Sequence, residues 1–340
     1  MNKTLSTVFL VLLLIVTVYI SYVFSTKNIV LYGPSGDPFT QNIDSIFDQM
    51  KNKEEERVYT VLLAGDVMLA RGTESRLIKY GNGDFTFPWK LISETTNKAD
   101  IFFFNHEGPM SELGTDGGKL YSFNFDTRAT EGMIYAGTDI VSLANNHALD
   151  WGSEALCDTI KNLSEKSIAQ VGAGCNKAEA DKPFIKDLGD TRIAFIAFTE
   201  FYSGNYATDD RIGLTRFDEE ELKSKIKKLK EEDVVDIVFV SVHWGEEYKT
   251  RSNTMQQNLA RSLVDAGADV IVGHHPHVVQ EVEKYGDAWI IYSLGNFIFD
   301  QYQTGTKEGL LANVLISNKE IQNIELIPIG INEYSQPFIK

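Results

Sequence analysis

Six histidines occur in 340 residues, and each stands in a short polar segment that follows an apolar run. His106 lies in Asn105-His106-Glu107-Gly108-Pro109, after 101–104. His147 lies in Ala144-Asn145-Asn146-His147-Ala148-Leu149-Asp150, at the end of 140–143. His243-Trp244-Gly245-Glu246-Glu247-Tyr248 follows 237–242, and Gly273-His274-His275-Pro276-His277 follows 270–272. Two more segments carry acid or amide groups: Ala64-Gly65-Asp66-Val67-Met68 and Leu294-Gly295-Asn296-Phe297-Ile298-Phe299-Asp300. Imidazoles, carboxylates and amide oxygens gathered on one edge hold a divalent cation, and this set suits Zn, Mn or Fe better than a soft thiolate metal. The donors outnumber the needs of one ion, so two ions sharing a carboxylate are expected.

The runs that deliver these segments read as strands at 58–63, 101–104, 140–143, 169–171, 193–197, 237–242, 270–272 and 289–293. Helical patterns lie between them at 88–97, 129–135, 153–166, 219–232 and 254–266. This alternation predicts an α/β fold with a largely buried sheet. Ligands then bind where the strands end. The tail differs: 310–316 and 322–328 are strand-like with little helix between, and predict an antiparallel addition to the same domain.

Residues 5–24 carry no charge and span about 30 Å as a helix, the thickness of a bilayer core. Lys3 precedes them and no Ala-x-Ala site follows, so a retained anchor with the body outside the cell is expected. A cleaved signal and a buried core helix are the alternatives. The map is then an anchor over 1–27, a tether over 28–57, a main domain over 58–302 and completing strands over 303–340. Within the tether, 43–50 reads either as a short packed helix or as spacer.

Lys and Arg total 32 against 48 Asp and Glu, a net charge of −16, which argues against a nucleic-acid surface. The basic run 223–230 has acids on both sides and reads as a solvated helix face. Apolar residues at 43% exclude global disorder. Two cysteines, Cys157 and Cys175, support neither a disulfide framework nor a thiolate zinc site, and are expected to be unpaired.

Taken in order, six motifs carry a specific resemblance: Gly65-Asp66-Val67-Met68-Leu69, Asn105-x-Glu107-Gly108, Leu143-Ala144-Asn145-Asn146-His147, Val242-His243-Trp244-Gly245-x-Glu247-Tyr248, Gly273-His274-His275-Pro276-His277-Val278 and Tyr292-Ser293-Leu294-Gly295-Asn296-Phe297. Together they resemble the CapA, or PgsA, family of poly-γ-glutamate capsule biosynthesis proteins, itself similar in fold to the calcineurin-like metallophosphoesterases. The resemblance implies a metallophosphatase-like layered sandwich, with sheets flanked by helices. It implies Asp66 on a first metal, Glu107 as the bridging carboxylate, Asn146 and His243 on a second metal, and His275 and His277 serving one metal each. It implies His147 as a general acid or charge-stabilising donor.

Around this set, Arg71 is the expected contact for a substrate anion and His106 is expected to line the cleft. Glu247, Asn296 and Asp300 are expected to hold histidine tautomers. His274 is expected to point away, and Glu107 has Arg71 and Arg128 as rival ion-pair partners.

Two functions fit. One is a metal-dependent hydrolase or transferase acting on a cell-envelope intermediate or on poly-γ-glutamate. The other is a non-catalytic assembly or export subunit of a polyglutamate synthase. Both imply the membrane and other synthase subunits as partners. Met68 stands where the phosphoesterase pattern has an imidazole, and a thioether is a poor ligand for a hard ion, so the first metal is expected to bind weakly. Met68→His is expected to tighten it in a metal titration; two equally tight sites, unmoved by the substitution, would contradict this.

Overall fold

The protein is described by a computed structural model covering residues 28–32, 38–42, 57–201, 204–232 and 234–340. The anchor expected over 5–24 and the helix weighed at 43–50 lie outside the described residues. The chain divides into two units at Arg57 and Val58. In the first, β1 (Asn28–Tyr32) pairs antiparallel with β2 (Pro38–Asn42).

The second unit begins with β3 (Tyr59–Val67), α1 (Arg71–Gly81), a 3-10 turn at Phe87–Trp89 and α2 (Ser93–Thr96). It continues through β4 (Ile101–His106), α3 (Ala129–Tyr135), β5 (Ile140–Ser142), α4 (Gly152–Glu165), β6 (Ala169–Val171), β7 (Ala173–Gly174) and α5 (Lys177–Ala180). Next come β8 (Phe184–Leu188), β9 (Thr191–Thr199), β10 (Gly213–Leu214), α6 (Glu219–Glu231), β11 (Ile237–His243), α7 (Thr254–Asp265) and β12 (Val270–His274). The chain ends with β13 (Val282–Tyr285), β14 (Ala288–Ile291), β15 (Asn296–Ile298), β16 (Glu308–Ser317), β17 (Glu320–Ile331) and β18 (Pro337–Ile339).

One sheet runs β18-β17-β16-β3-β4-β5-β6, with β15 also on β3; the other runs β13-β14-β12-β11-β9-β8. The central neighbours are parallel in both, and β16 joins β3 antiparallel. Strand alternation assigns the layers. Val61, Leu63, Ile101 and Phe103 meet Ile193, Phe195, Ile237 and Phe239 between the sheets. There the Phe103 and Phe195 rings stack at 5.2 Å. Leu62, Phe102 and Phe104 face the other way, onto Leu77 of α1, Met133 of α3 and Leu156 of α4. Ala194, Val238 and Ile271 do the same for Leu222 and Ile226 of α6 and Leu259 of α7. The result is the expected α/β layered sandwich: helices, sheet, sheet, helices.

Two irregularities matter for function. The β3–β4 register shifts between Leu63 and Asp66, so Asp66 lies opposite Asn105 while Val67 enters the helix-side core. Gly65 allows β15 to approach: a Cβ there would stand 1.9 Å from the Gly295 carbonyl oxygen.

Some local expectations fail. The single helix over 88–97 is instead the Phe87–Trp89 turn and the four-residue α2. Trp89 and Ile92 are both fully buried, and Ser93-Glu94-Thr95-Thr96 is weak helix-forming sequence. Helix α1 escaped notice because only Thr73 and Leu77 of its eleven residues are buried. Cys157 and Cys175 are bonded, not free, with their Cα atoms 5.5 Å apart. The fold brings α4 against the segment after β7, a proximity that spacing along the chain does not disclose.

The disulfide closes a loop between residues 18 apart, which stabilises by about 3 kcal/mol through the unfolded chain. Replacing both cysteines by serine is therefore expected to lower the thermal midpoint by several degrees. Reductant should lower the parent to match and leave the variant unmoved; equal midpoints in all four melts would refute the bridge.

Candidate metal centre

The strand ends converge as the alternation requires. Asp66, Asn105 and Glu107 are fully buried, and no Lys or Arg pairs with either carboxylate among the described residues. Their neighbours are amide and imidazole. The Asn105 side-chain N–H group donates to Asp66 Oδ1 at 2.8 Å and to Glu107 Oε2 at 3.1 Å. His277 Nδ1 lies 3.2 Å from Asp66 Oδ2, and its Nε2 lies 3.6 Å from Glu107 Oε1. Asp66, Glu107 and His277 thus offer three ligand atoms within 4.8 Å of one another.

A second group joins it through His277: Glu247, His275 and His277 also fall within 4.8 Å. The His275 ring is 4.8 Å from that of His243, whose Nε2 lies 2.8 Å from Asn146 Oδ1. A ring nitrogen and an amide oxygen this close can both turn toward one ion. Glu107 Oε1 and His275 Nδ1 are buried without hydrogen-bond partners among the described residues. Hard oxygen and imidazole donors with such orphaned atoms fit one or two divalent ions.

Backbone strain helps aim the histidines. His275 has φ +96° and His277 has φ +58°, conformations that cost a β-carbon residue of order 1–3 kcal/mol each. Gly273 lets β12 pass close to Tyr292, where a Cβ would stand 1.9 Å from the carbonyl oxygen.

The charge state follows from burial and neighbours. Burial opposes ionisation of Asp66, but the nearby imidazoles of His274 and His277 outweigh it and hold the carboxyl well below its usual range. Burial raises Glu107 well above its usual value, helped by the charge of Asp66. Burial pushes His277 down, yet Glu107 and Asp66 more than reverse this and hold it at about 9. Burial lowers His243, and lowers His275 to about 3 with help from His277.

Beside these donors, His147 Nδ1 meets Asp150 Oδ2 at 2.7 Å and its ring stacks on Phe123 at 4.0 Å. Asp150 also accepts from the Phe123 N–H and from Lys119, whose ammonium reaches the Asn146 carbonyl oxygen as well. A cleft of about 210 Å³ is lined by His147, His277, Glu247, Arg71, Tyr248 and Tyr302, among others.

Asn296 Oδ1 lies 3.0 Å from His277 Nδ1, beside Asp66 Oδ2. Three placements differ from the reading of the sequence. His106 does not line the cleft: its ring is fully buried against Phe125, both nitrogens lack partners, and burial lowers it to about 4. The strand runs through His106, so alternation turns it away from Asn105 and Glu107. His274 does not point away: its Nδ1 lies 3.5 Å from Asp66 Oδ1. Asp300 holds no histidine. It pairs with Arg71 at 2.9 Å and accepts from the Gly72 N–H, so it orients the arginine beside the cleft. Arg128 pairs with Asp126 and leaves Glu107 to the donor group. Met68 sits in the helix-side core with its sulfur accepting from the Ala70 N–H at 3.2 Å, so a histidine there must leave apolar surroundings to reach an ion.

The sequence reading passed over Asn105, Asn145 and Asp150. Asn145 donates to the Asn105 side-chain oxygen and to the His106 carbonyl, and accepts from the His147 N–H. All three stand inside the quoted polar segments, and amide or carboxylate groups near ligand positions were the available signal.

Fold and site together define an α/β sandwich with a histidine–carboxylate cleft at the strand ends. The chain belongs to the bacterial capsule synthesis protein PGA_cap family, whose model matches residues 60–301. It is 33% identical over 293 residues to the capsule biosynthesis protein CapA of Bacillus anthracis, covering 84% of this chain and 70% of that one. It is 30% identical over 287 residues to the PGA biosynthesis protein CapA of Bacillus subtilis (strain 168), covering 83% and 74%. A probable polyglutamine synthesis accessory protein of Mycobacterium tuberculosis is 26% identical over 326 residues, covering 81% and 85%. Among solved structures, a hypothetical protein from Thermus thermophilus is similar at 17% identity with a TM-score of 0.49, covering 79% of this chain and 98% of that one.

At neutral pH His277 carries a proton that a ligating nitrogen must lose, because its value of about 9 lies above 7. Divalent ion binding at pH 7 is therefore expected to release protons, and affinity to fall as pH drops. Calorimetry in buffers of different ionisation enthalpy checks this; binding without proton release would overturn the assignment of His277.

Proposed function

We propose that the chain is a metal-dependent hydrolase or transferase of capsule polymer synthesis, anchored in the membrane with its body outside the cell and acting on γ-glutamyl chains. The observation that carries the reading is the Asp66–Glu107–His277 donor group and the His147–Asp150 pair, which reach one cleft through His277 and His147. The names of the Bacillus relatives support the polymer. The disulfide suits an oxidising compartment, and the uncharged stretch at 5–24 suits an anchor.

Bound divalent ions would supply Lewis acidity, polarising the electrophile and neutralising charge in the transition state. Asp66, Glu107 and His277 would hold one ion; Asn146, His243 and His275 would hold the other, with Glu247 at hand. The protein's own work is orientation and proton transfer. Asp150 fixes the His147 ring through Nδ1, so Nε2 is the nitrogen left to give a proton to a leaving group. Phe123 stacks on that ring and limits its rotation. Arg71, held by Asp300 and lying over the Tyr121 and Phe123 rings, offers a cation to a substrate carboxylate.

The second reading, a non-catalytic subunit that holds the nascent chain for assembly or export, draws on the accessory role in the name of the mycobacterial relative. Turnover separates the two. The full chain in detergent, loaded with Mn or Zn, is expected to cleave or transfer γ-glutamyl amides. His147→Ala is expected to lower kcat by about 100-fold or more, and Asp150→Asn by less, with metal titration unchanged. Tight metal binding without turnover of γ-glutamyl amides or phosphoesters would leave the assembly reading standing.

A further inference from the structure

Two cations gather against Tyr302, a residue of the cleft lining, although the chain as a whole carries −16. Arg76 Nη1 donates to Ser335 Oγ at 2.8 Å, and its Nη2 donates to the Tyr302 hydroxyl. Its guanidinium carbon stands 5.5 Å from the centre of the Tyr302 ring. The Lys307 ammonium stands 5.5 Å from the same centre, and it is buried without a hydrogen-bond partner among the described residues. Lys119, Lys177 and Lys230, by contrast, all reach carboxylates. The carboxylate near this cluster, Asp300, is already engaged by Arg71. Burial lowers the Lys307 pKa and the charge of Arg76 adds to that.

A buried ammonium with no acceptor beside a second cation is costly unless an anion joins them. Tyr302 is 78% exposed, so its ring touches both cations without burying itself, and a ligand can displace it at little loss of packing. The cleft lining is also firmly placed relative to the donors. Asn296, whose oxygen faces His277, donates through its side-chain N–H groups to Gln301 Oε1 at 2.9 Å and to the Thr306 carbonyl at 3.1 Å. Tyr302 and His277 line the same cleft.

We propose that Arg76 and Lys307, with Tyr302 as a displaceable cover, form a second anion subsite that takes a carboxylate of an extended polyanionic chain whose reacting group lies at the donor cluster. The choice of a carboxylate chain rests on the γ-glutamyl reading above. The subsite would favour an oligomer, whose many carboxylates can occupy the donors and the subsite together, over a single glutamate.

The test uses the full chain in detergent and γ-linked glutamate oligomers of graded length, with calorimetry on EDTA-treated and Mn-loaded protein. The parent is expected to bind a decamer more tightly than glutamate in both states, and less tightly at high salt. Lys307→Met and Arg76→Gln are each expected to weaken decamer binding about tenfold, and the double variant further, with metal titration and thermal midpoint unchanged. Lys307→Arg is expected to restore binding. Unchanged decamer affinity in the double variant would overturn the subsite, as would equal losses for glutamate and decamer. Polyphosphate binding more tightly than the decamer would overturn the carboxylate assignment. The metal reading fails separately: a protein that binds no ion but loses the decamer in the double variant keeps the subsite.

Discussion

Two carboxylates buried side by side, with no lysine or arginine paired to them among the described residues, are the constraint around which the second unit is organised. Asp66 and Glu107 lie at the ends of adjacent strands, fully removed from water. Like charges in a low-dielectric interior repel, and desolvation alone would protonate both. The fold answers with polarisable and titratable neighbours in place of fixed cations. Asn105 bridges the two carboxylates, His274 and His277 approach Asp66, and His277 also faces Glu107. Charge balance is thus left to protons or to a bound cation.

The sandwich makes that arrangement sterically possible. Strict alternation sends every other side chain of β3 and β4 between the sheets, but it would also send Asp66 the wrong way. The register shift after Leu63 corrects its direction, and the helix-side core receives Val67. On the facing sheet, left-handed backbone at His275 and His277 does the comparable job. Each sheet thus departs from regular backbone where its strands deliver the donors.

Much of this was legible from the residues. Long apolar runs ending in polar segments announced the sheets and the edge where function gathers, because buried parallel strands have no other way to read. The helices over 129–135, 219–232 and 254–266 were visible for their periodic apolar faces, and α3, α6 and α7 follow them closely. What was hidden depends on long-range placement. Nothing local joins Arg71 to Asp300 or Cys157 to Cys175, and His274 approaches Asp66 through tertiary packing. His106 is a different case: alternation within β4 was enough to turn it from the cleft.

The position of β3 has a consequence for the order in which the molecule is built. This strand is the first of its sheet in the chain, yet it ends up inside it, with β4 on one side and β16 on the other, Leu63 opposite Ala312. A polypeptide made from its amino end must therefore carry the start of β3, 59–63, with one row of amides and carbonyls unpaired until residues 308–317 emerge. Contacts of such sequence separation form slowly, and the last-made hairpin becomes the clasp of the whole sheet. Biogenesis of this protein is then a race between that late closure and intermolecular strand pairing, and the crucial chaperone would be one that shields an edge instead of an apolar face.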